Sequence, residues 1–132
     1  MTTPEVVTRV PAANAHWTSR PNRILLVNLR EGDEPKIDPA ALIADVKSFG
    51  ATAFCINGGG IVAFYRTRIP GHRVSSGLGE RDLLAEIVPA AHEAGLRVLA
   101  RIDPSCAPKA LAATHPEWFT RDRSGAFLPF EA

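Results

Sequence analysis

The sequence has little of what marks several classes of protein. Its two cysteines, Cys55 and Cys106, are too few for a disulfide framework and lack metal-ligand spacing. Fifteen basic and fourteen acidic residues leave no excess of the kind that nucleic-acid or membrane surfaces attract. The N-terminal residues lack the apolar core of a signal peptide, and no apolar run could span a bilayer. We therefore expect a cytoplasmic protein with buried, reduced thiols that binds neither nucleic acid nor a membrane.

What the sequence does contain is a regular alternation of apolar segments. Short apolar runs at 24–29, 52–57 and 97–102 suit strands that are buried on both faces. Apolar residues at helical spacing occupy 39–49 and roughly 81–94, between the strands. These segments predict a strand, helix, strand, helix, strand order.

Helix boundaries are marked by residues with specific capping roles. Asp38 and Pro39 suit the N-cap and first turn of the first helix, and Gly50 suits the position after its last turn. Pro89 should kink the second helix or force an irregular turn, because proline has no backbone donor. A shorter helical segment is expected at 108–114.

Alternation of this kind predicts right-handed βαβ units and a parallel sheet. Only three strands are evident, whereas a closed TIM-type barrel takes about 250 residues. The predicted fold class is α/β, with parallel βαβαβ units that form a partial, truncated (β/α) barrel. Residues 1–22 are predicted to be an irregular N-terminal segment, and residues 23–132 the N-terminal portion of the barrel domain.

Polar residues collect where the predicted strands end. Asn28 and Asn57 end the first two strands, and Arg101 and Asp103 end the third. Ligands of parallel α/β folds bind at this end of the sheet. Each asparagine could instead be a turn residue, and Asp103, which precedes Pro104, could cap the next helix. Arg101 requires a partner, either Asp103 or a bound anion.

The connection after the second strand is longer than usual for an α/β unit, which is often a functional feature. It opens with glycines at 58–60, whose backbone could approach an anion. However, Ala63 stands where a dinucleotide fingerprint needs a third glycine, and no helix begins at once. Tyr65 and His72 lie further along this loop, among arginines at 66, 68 and 73.

Several segments resemble the N-terminal part of a group of glycosyl hydrolases related to the alpha-L-fucosidases. The most specific are Arg81-Asp82-Leu83 and His115-Pro116-Glu117-Trp118-Phe119, within a resemblance over roughly residues 16–126. It implies a TIM-barrel catalytic domain. Fucosidases carry a His-His-Asp-Gly-like motif where this chain has Asn57-Gly58-Gly59-Gly60, so fucose contacts do not transfer. Their nucleophile lies on a later strand, beyond the end of this chain.

The sequence thus predicts the N-terminal part of a glycoside hydrolase-like barrel that contributes to a carbohydrate-binding rim, meaning the carboxyl ends of the strands and the loops that follow them. The predicted rim residues are Asn28, Asn57, Tyr65, His72, Arg101 and Asp103. Because glycoside hydrolysis commonly needs two carboxyl groups and only one stands at a strand end, the isolated chain is expected to be inactive. No metal or other cofactor is predicted.

Two other functions stay open. One is a noncatalytic interaction or assembly module whose open sheet edge pairs with another chain. The other is a small phosphate- or nucleotide-binding α/β domain. For the barrel interpretation we expect self-association, or pairing with the rest of a barrel. Trp118 and Phe119 are expected to pin the last loop to the edge of the barrel.

Overall fold

The computed structural model describes residues 17–19, 21–103 and 105–128. Three parallel strands form one sheet in the order β1-β2-β3. The strands are β1 (Ile24–Val27), β2 (Ala53–Gly59) and β3 (Arg97–Ile102), and the helices are α1 (Pro39–Ser48), α2 (Leu83–Glu93) and α3 (Lys109–Thr114). The predicted parallel βαβαβ arrangement is confirmed. Most of the predicted irregular segment, 1–22, lies outside the described residues.

The predicted caps of α1 are present. The Asp38 side chain accepts a hydrogen bond from the Ala40 backbone N–H at 2.9 Å, and Pro39 opens the helix. Gly50 follows the last turn with φ of 65°, a conformation that costs glycine little. The predicted second helix is present as α2, which continues through Pro89 to Glu93, and the kink expected at Pro89 stays a prediction. Pro89 lies on the exposed side of α2, where its ring does not meet the sheet.

One face of the sheet is covered by the two long helices. Phe54 and Ile56 of β2 point into this layer and are fully buried. Ile43 and Val46 of α1, together with Leu83, Ile87 and Ala91 of α2, complete the layer. Both βαβ crossovers place their helices on this side, as right-handed connections require.

The opposite face of the sheet, which we call the open face, is apolar and largely uncovered by the described residues. Its middle row pairs Leu26 with Cys55 and Cys55 with Leu99. Leu26 is 61% exposed and Leu99 is 37% exposed. Toward the carboxyl ends of the strands this face becomes polar, where Asn57 pairs with Arg101. In a closed barrel such a face lines the interior.

The β2–α2 loop folds back onto the core rather than extending into solvent. Ala63 forms a parallel bridge with Val74, and Phe64 donates its backbone N–H to the Gly58 carbonyl at 3.1 Å. Phe64 and Leu78 are buried. This long loop is therefore an ordered wall beside the end of the sheet.

Candidate functional site

An open cavity of about 280 Å³ lies at the carboxyl ends of the strands. It is lined by residues from all three strand ends and the loops that follow: Leu29, Glu31, Asn57, Gly59, Gly60, Ile61, Val62, Phe64, Arg101, Asp103, Ser105 and Cys106. Three of the six predicted rim residues, Asn57, Arg101 and Asp103, line it directly. The cavity stands where parallel α/β folds bind ligands.

The two asparagines tie neighbouring strand ends together. The Asn57 side-chain oxygen accepts a hydrogen bond from the Leu29 backbone N–H at 3.1 Å. The Asn28 side-chain oxygen accepts one from Arg101 Nη2, also at 3.1 Å. These bonds cross the sheet, so neither asparagine plays the local turn role that the sequence left open.

Arg101 is therefore held by Asn28 and not by Asp103, which was one of the two partners that the sequence left open. Among the described residues no ion pair within 4.0 Å joins Arg101 to Asp103. Arg101 Nε is buried and has no hydrogen-bond partner among the described residues. A buried guanidinium donor without a partner has a strong tendency to bind an acceptor.

Asp103 does not cap α3, because that helix begins later and has Pro108 at its N-cap. Instead, Asp103 Oδ1 accepts a hydrogen bond from the Ser105 backbone N–H at 3.1 Å. Hydrogen bonds from Ser105 lower the pKa of Asp103, and the positive charge of Arg101 lowers it further. Asp103 is therefore an exposed, ionised hydrogen-bond acceptor at the cavity.

The glycines after Asn57 allow two parts of the rim to approach closely. Gly60 has φ of 152°, and a Cβ there would lie 2.6 Å from the Asp103 carbonyl oxygen. A Cβ on Gly59 would lie 3.2 Å from Cε1 of His72. These glycines bring the end of β2 against the end of β3 and against the long loop, a role that does not require an anion.

Tyr65 and His72 stand beside the cavity and not among its lining residues. Their rings meet edge to face, with centroids 6.2 Å apart. His72 Nε2 is buried and has no partner among the described residues. The loop therefore brings His72 against the end of β2, and Tyr65 contacts the histidine ring from one side.

Glu31 lines the cavity and was not predicted from the sequence. Its carboxylate accepts two hydrogen bonds from Arg73, at 2.5 and 3.0 Å. The backbone N–H and hydroxyl of Ser76 also donate to it, at 3.1 and 3.0 Å. These donors, Arg73 above all, lower the pKa of Glu31 to about 2. A carboxylate three residues beyond the strand-end Asn28 carries no sequence signal that separates it from an ordinary loop residue.

Two of the loop arginines that could hold a phosphate are already engaged. Arg73 binds Glu31, and Arg66 binds the Gly79 carbonyl and the Glu80 carboxylate. The two carboxylates at the cavity, Glu31 and Asp103, both have lowered pKa values and are ionised at neutral pH. The site consequently offers strong acceptors and the Arg101 donor.

The described residues were also searched for metal-binding groups, membrane-spanning helices and disulfides. Residues 17–19, 21–103 and 105–128 contain no group of three or more His, Cys, Asp or Glu side chains arranged to hold a metal ion. In the same part of the chain, no helix has the length and apolar character to cross a membrane. Cys55 and Cys106 are free thiols of intermediate burial.

Comparisons with known proteins agree with this architecture. The family described as hypothetical glycosyl hydrolase 6 matches residues 38–132. An alpha-L-fucosidase, isoenzyme 2 from Paenibacillus thiaminolyticus, has a similar structure, with a TM-score of 0.58 and 17% sequence identity. The match covers 79% of this chain and 16% of the fucosidase chain, so this chain spans a small part of that enzyme's length. A search of curated proteins finds no match.

The fold and the strand-end cavity define a glycosyl hydrolase-like α/β domain with the architecture of a partial (β/α) barrel. The chain belongs to the hypothetical glycosyl hydrolase 6 family, which matches more than half of its length. The resemblance drawn from the sequence is confirmed.

Proposed function

We propose that this chain forms part of a carbohydrate-binding rim in a glycosyl hydrolase-like barrel. The observation that carries the proposal is the convergence of Glu31, Asn57, Arg101 and Asp103 on one cavity at the carboxyl ends of three parallel strands. We further propose that the open face is covered by more strands, from the rest of a barrel or from a second copy. Its exposed Leu26 and Leu99 support this.

A sugar suits the balance of groups at the cavity. Hydroxyl groups both donate and accept, so one sugar can donate to Asp103 and accept from Arg101. A phosphate could also bind Arg101, but the negative charges of Glu31 and Asp103 would repel it. The cavity charges therefore favour a neutral hydroxylated ligand over a phosphate. Free thiols support a reducing compartment, and we propose a cytoplasmic location.

Calorimetric titration tests this proposal. The probes are L-fucose, D-galactose, D-glucose and ATP, each added to the whole chain at low and high salt. We expect sugar binding that depends little on salt and falls at least tenfold in both Arg101→Ala and Asp103→Ala. Arg97→Ala is the matched control, because Arg97 lies on the same strand and face as Arg101 but at the opposite end.

The competing functions give different results. Binding of ATP that weakens steeply with salt and is unaffected or improved by Asp103→Ala would indicate a phosphate site. Failure of every sugar to bind would contradict the carbohydrate rim. If the chain nevertheless forms a defined complex through its sheet, an assembly module becomes the better interpretation.

A further inference from the structure

Glu34 has a fully buried side chain that the proposed function does not use. It lies in the β1–α1 loop, shortly after Glu31. One of its carboxylate oxygens, Oε2, accepts a hydrogen bond from the Gly32 backbone N–H at 2.7 Å. The other, Oε1, is buried and has no hydrogen-bond partner among the described residues. A buried carboxylate with an unpartnered oxygen is costly, so its presence here requires an explanation.

An ion pair does not explain Glu34. None of the ion pairs within 4.0 Å in the described part of the chain includes its carboxylate. Arg81 donates to the Glu34 backbone carbonyl at 2.8 Å, whereas the carboxylate that Arg81 pairs with is that of Glu86. The Glu34 carboxylate therefore acts on its neighbours through packing and a backbone hydrogen bond.

The Glu34 carboxylate lies between two loops. A Cβ on Gly77 would lie 2.5 Å from Glu34 Oε2 and 3.1 Å from Gly32 Cα. Gly77 belongs to a short turn of 3-10 helix, Ser76–Leu78, in the β2–α2 loop. The carboxylate consequently packs against the β2–α2 loop, while its hydrogen bond to Gly32 holds the β1–α1 loop.

The glycines that Glu34 contacts are the neighbours of a hydrogen-bonded pair at the cavity. Glu31 precedes Gly32, and Ser76 precedes Gly77. The backbone N–H and hydroxyl of Ser76 donate to Glu31 Oε1 at 3.1 and 3.0 Å. Glu34 thus fixes the backbone next to both members of the pair. Outer residues commonly orient a binding side chain in this way.

The two oxygens of Glu31 are unequally occupied. Oε1 accepts hydrogen bonds from Arg73 Nη1 and from two donors of Ser76, whereas Oε2 accepts only from Arg73 Nη2 among the described residues. Each carboxylate oxygen has about two lone-pair sites. Oε2 can therefore accept one further hydrogen bond, and Glu31 lines the cavity.

We propose that Glu31 Oε2 accepts a hydrogen bond from a ligand hydroxyl group in the cavity, and that Glu34 is the positioning residue that holds Glu31 for this bond. The inference rests on the proposed function and deepens it, because it adds a second carboxylate acceptor to Asp103. An acceptor that is already oriented loses little conformational freedom when a ligand binds. A held carboxylate consequently contributes more to binding than the same group on a mobile loop.

The position of Glu31 can be measured without a ligand. Nuclear magnetic resonance of its carboxyl carbon follows ionisation from pH 7 down to pH 3, and the bonds to this carboxylate keep its pKa at about 2. We expect Glu34→Ala to raise the pKa of Glu31 by about one pH unit or more, since those bonds loosen. Glu34→Gln, which keeps the shape and the acceptor for Gly32, should leave it low. Gly77→Ala, whose Cβ would displace the Glu34 carboxylate, should raise it, and this variant decides the question if Glu34→Ala does not fold.

Calorimetry on the whole chain tests the bond to the ligand, with L-fucose, D-galactose and D-glucose as probes. We expect Glu31→Ala and Glu34→Ala each to weaken binding by about fivefold or more. The double variant should bind no more weakly than Glu31→Ala, because Glu34 acts through Glu31. Glu34→Gln should retain binding within about twofold. Asp38→Ala is the destabilised control, since it removes the cap of α1 and none of the hydrogen bonds to Glu31.

The outcomes separate this inference from the proposed function. Sugar binding that needs Arg101 and Asp103 but survives Glu31→Ala would overturn the bond to Glu31 and leave the rim intact. Binding that is lost in Glu31→Ala but kept in Glu34→Ala, with the pKa of Glu31 unmoved, would overturn the positioning role. Equal effects in the destabilised control and in Glu34→Ala would overturn it too. Failure of every sugar to bind would contradict both the rim and the bond to Glu31, even if the pKa of Glu31 moves.

Discussion

At the scale of single residues, the pair of Glu31 and Arg73 joins the two loops that border the cavity. The pKa of Glu31 in the folded chain, about 2, lies below its ordinary value of 4.5. A lowered folded-state pKa means that the pair stabilises the fold above about pH 5, and that this stability is lost as the pH falls toward 2. Because the Glu31 side chain is 34% exposed, solvent screens the pair and limits its contribution to about 1 kcal/mol.

We therefore expect Glu31→Gln to lower the free energy of unfolding by about 1 kcal/mol at pH 7 and by much less near pH 2.5. Urea denaturation at the two pH values measures the difference. Glu80→Gln is the matched control, because Glu80 also pairs with a loop arginine but is fully exposed. An equal loss at both pH values would mean that the carboxylate charge is not what stabilises the loops.

The residues at the site differ in how far sequence could predict them. Asn57, Arg101 and Asp103 follow directly from strand assignment, because parallel strands bring their carboxyl ends to one edge. Glu31 does not, because its position depends on where a folded loop places Arg73 and Ser76. Outside the site, Trp118 was expected to pin the last loop but is 64% exposed. A tryptophan near an apolar segment gives no sign in the sequence that it will stay exposed.

At the scale of elements, Asp82 connects the start of α2 to the long loop. Its Oδ1 accepts from the Ala85 N–H and its Oδ2 from the Arg66 N–H, both at 2.9 Å. Arg81 beside it donates to the Glu34 and Ile37 carbonyls of the preceding β1–α1 loop, at 2.8 and 3.0 Å. The Arg-Asp-Leu segment that supports the family resemblance is therefore a structural junction between two rim loops.

Asp82→Ala should destabilise the chain more than Asp38→Ala. Loss of either N-cap costs about 1 kcal/mol, and Asp82 also loses its bond to the loop, which adds about 1 kcal/mol. Asp82→Ala should in addition speed tryptic cleavage after Arg66, because the loop opens more often. Denaturation curves and timed digestion measure both effects, with Asp38→Ala as the control. Equal digestion rates in the two variants would show that Asp82 does not hold the loop.

The helices and strands were more predictable from the sequence than the long β2–α2 loop. Caps and apolar spacing located α1, α2 and all three strands, because these signals are local. Strand β2 continues to Gly59, beyond the predicted end at 57, since it forms a bulged pairing with β3 that only long-range contacts specify. The return of the β2–α2 loop onto the core depends on the same kind of distant contact.

At the scale of the whole molecule, the chain is expected to bind sugars without hydrolysing them. The two carboxylates at the cavity have lowered pKa values and so cannot serve as a proton-donating acid near neutral pH. We predict no hydrolysis of a panel of nitrophenyl glycosides above background from pH 5 to 8. Release of nitrophenol measures this, with a glycosidase of known specificity as the positive control for each substrate. Turnover that disappears in Asp103→Asn would reveal a complete active site.

The open face is expected to mediate self-association of the molecule. An apolar sheet surface in water, beside unpaired strand edges, favours association with another sheet. Light scattering after gel filtration should therefore show oligomers whose fraction rises with concentration. Leu26→Lys should shift the chain toward monomer, because it places a charge in the middle row of that face.

Phe49→Lys is the control, since Phe49 is as exposed as Leu26, at 63%, but lies at the end of α1 on the other side of the sheet. If association runs through the open face, only the Leu26 variant changes the distribution. If both variants behave alike, association comes from general apolar exposure. A stable monomer of the unmodified chain at high concentration would contradict pairing through this face, because the exposed leucines would then need no partner.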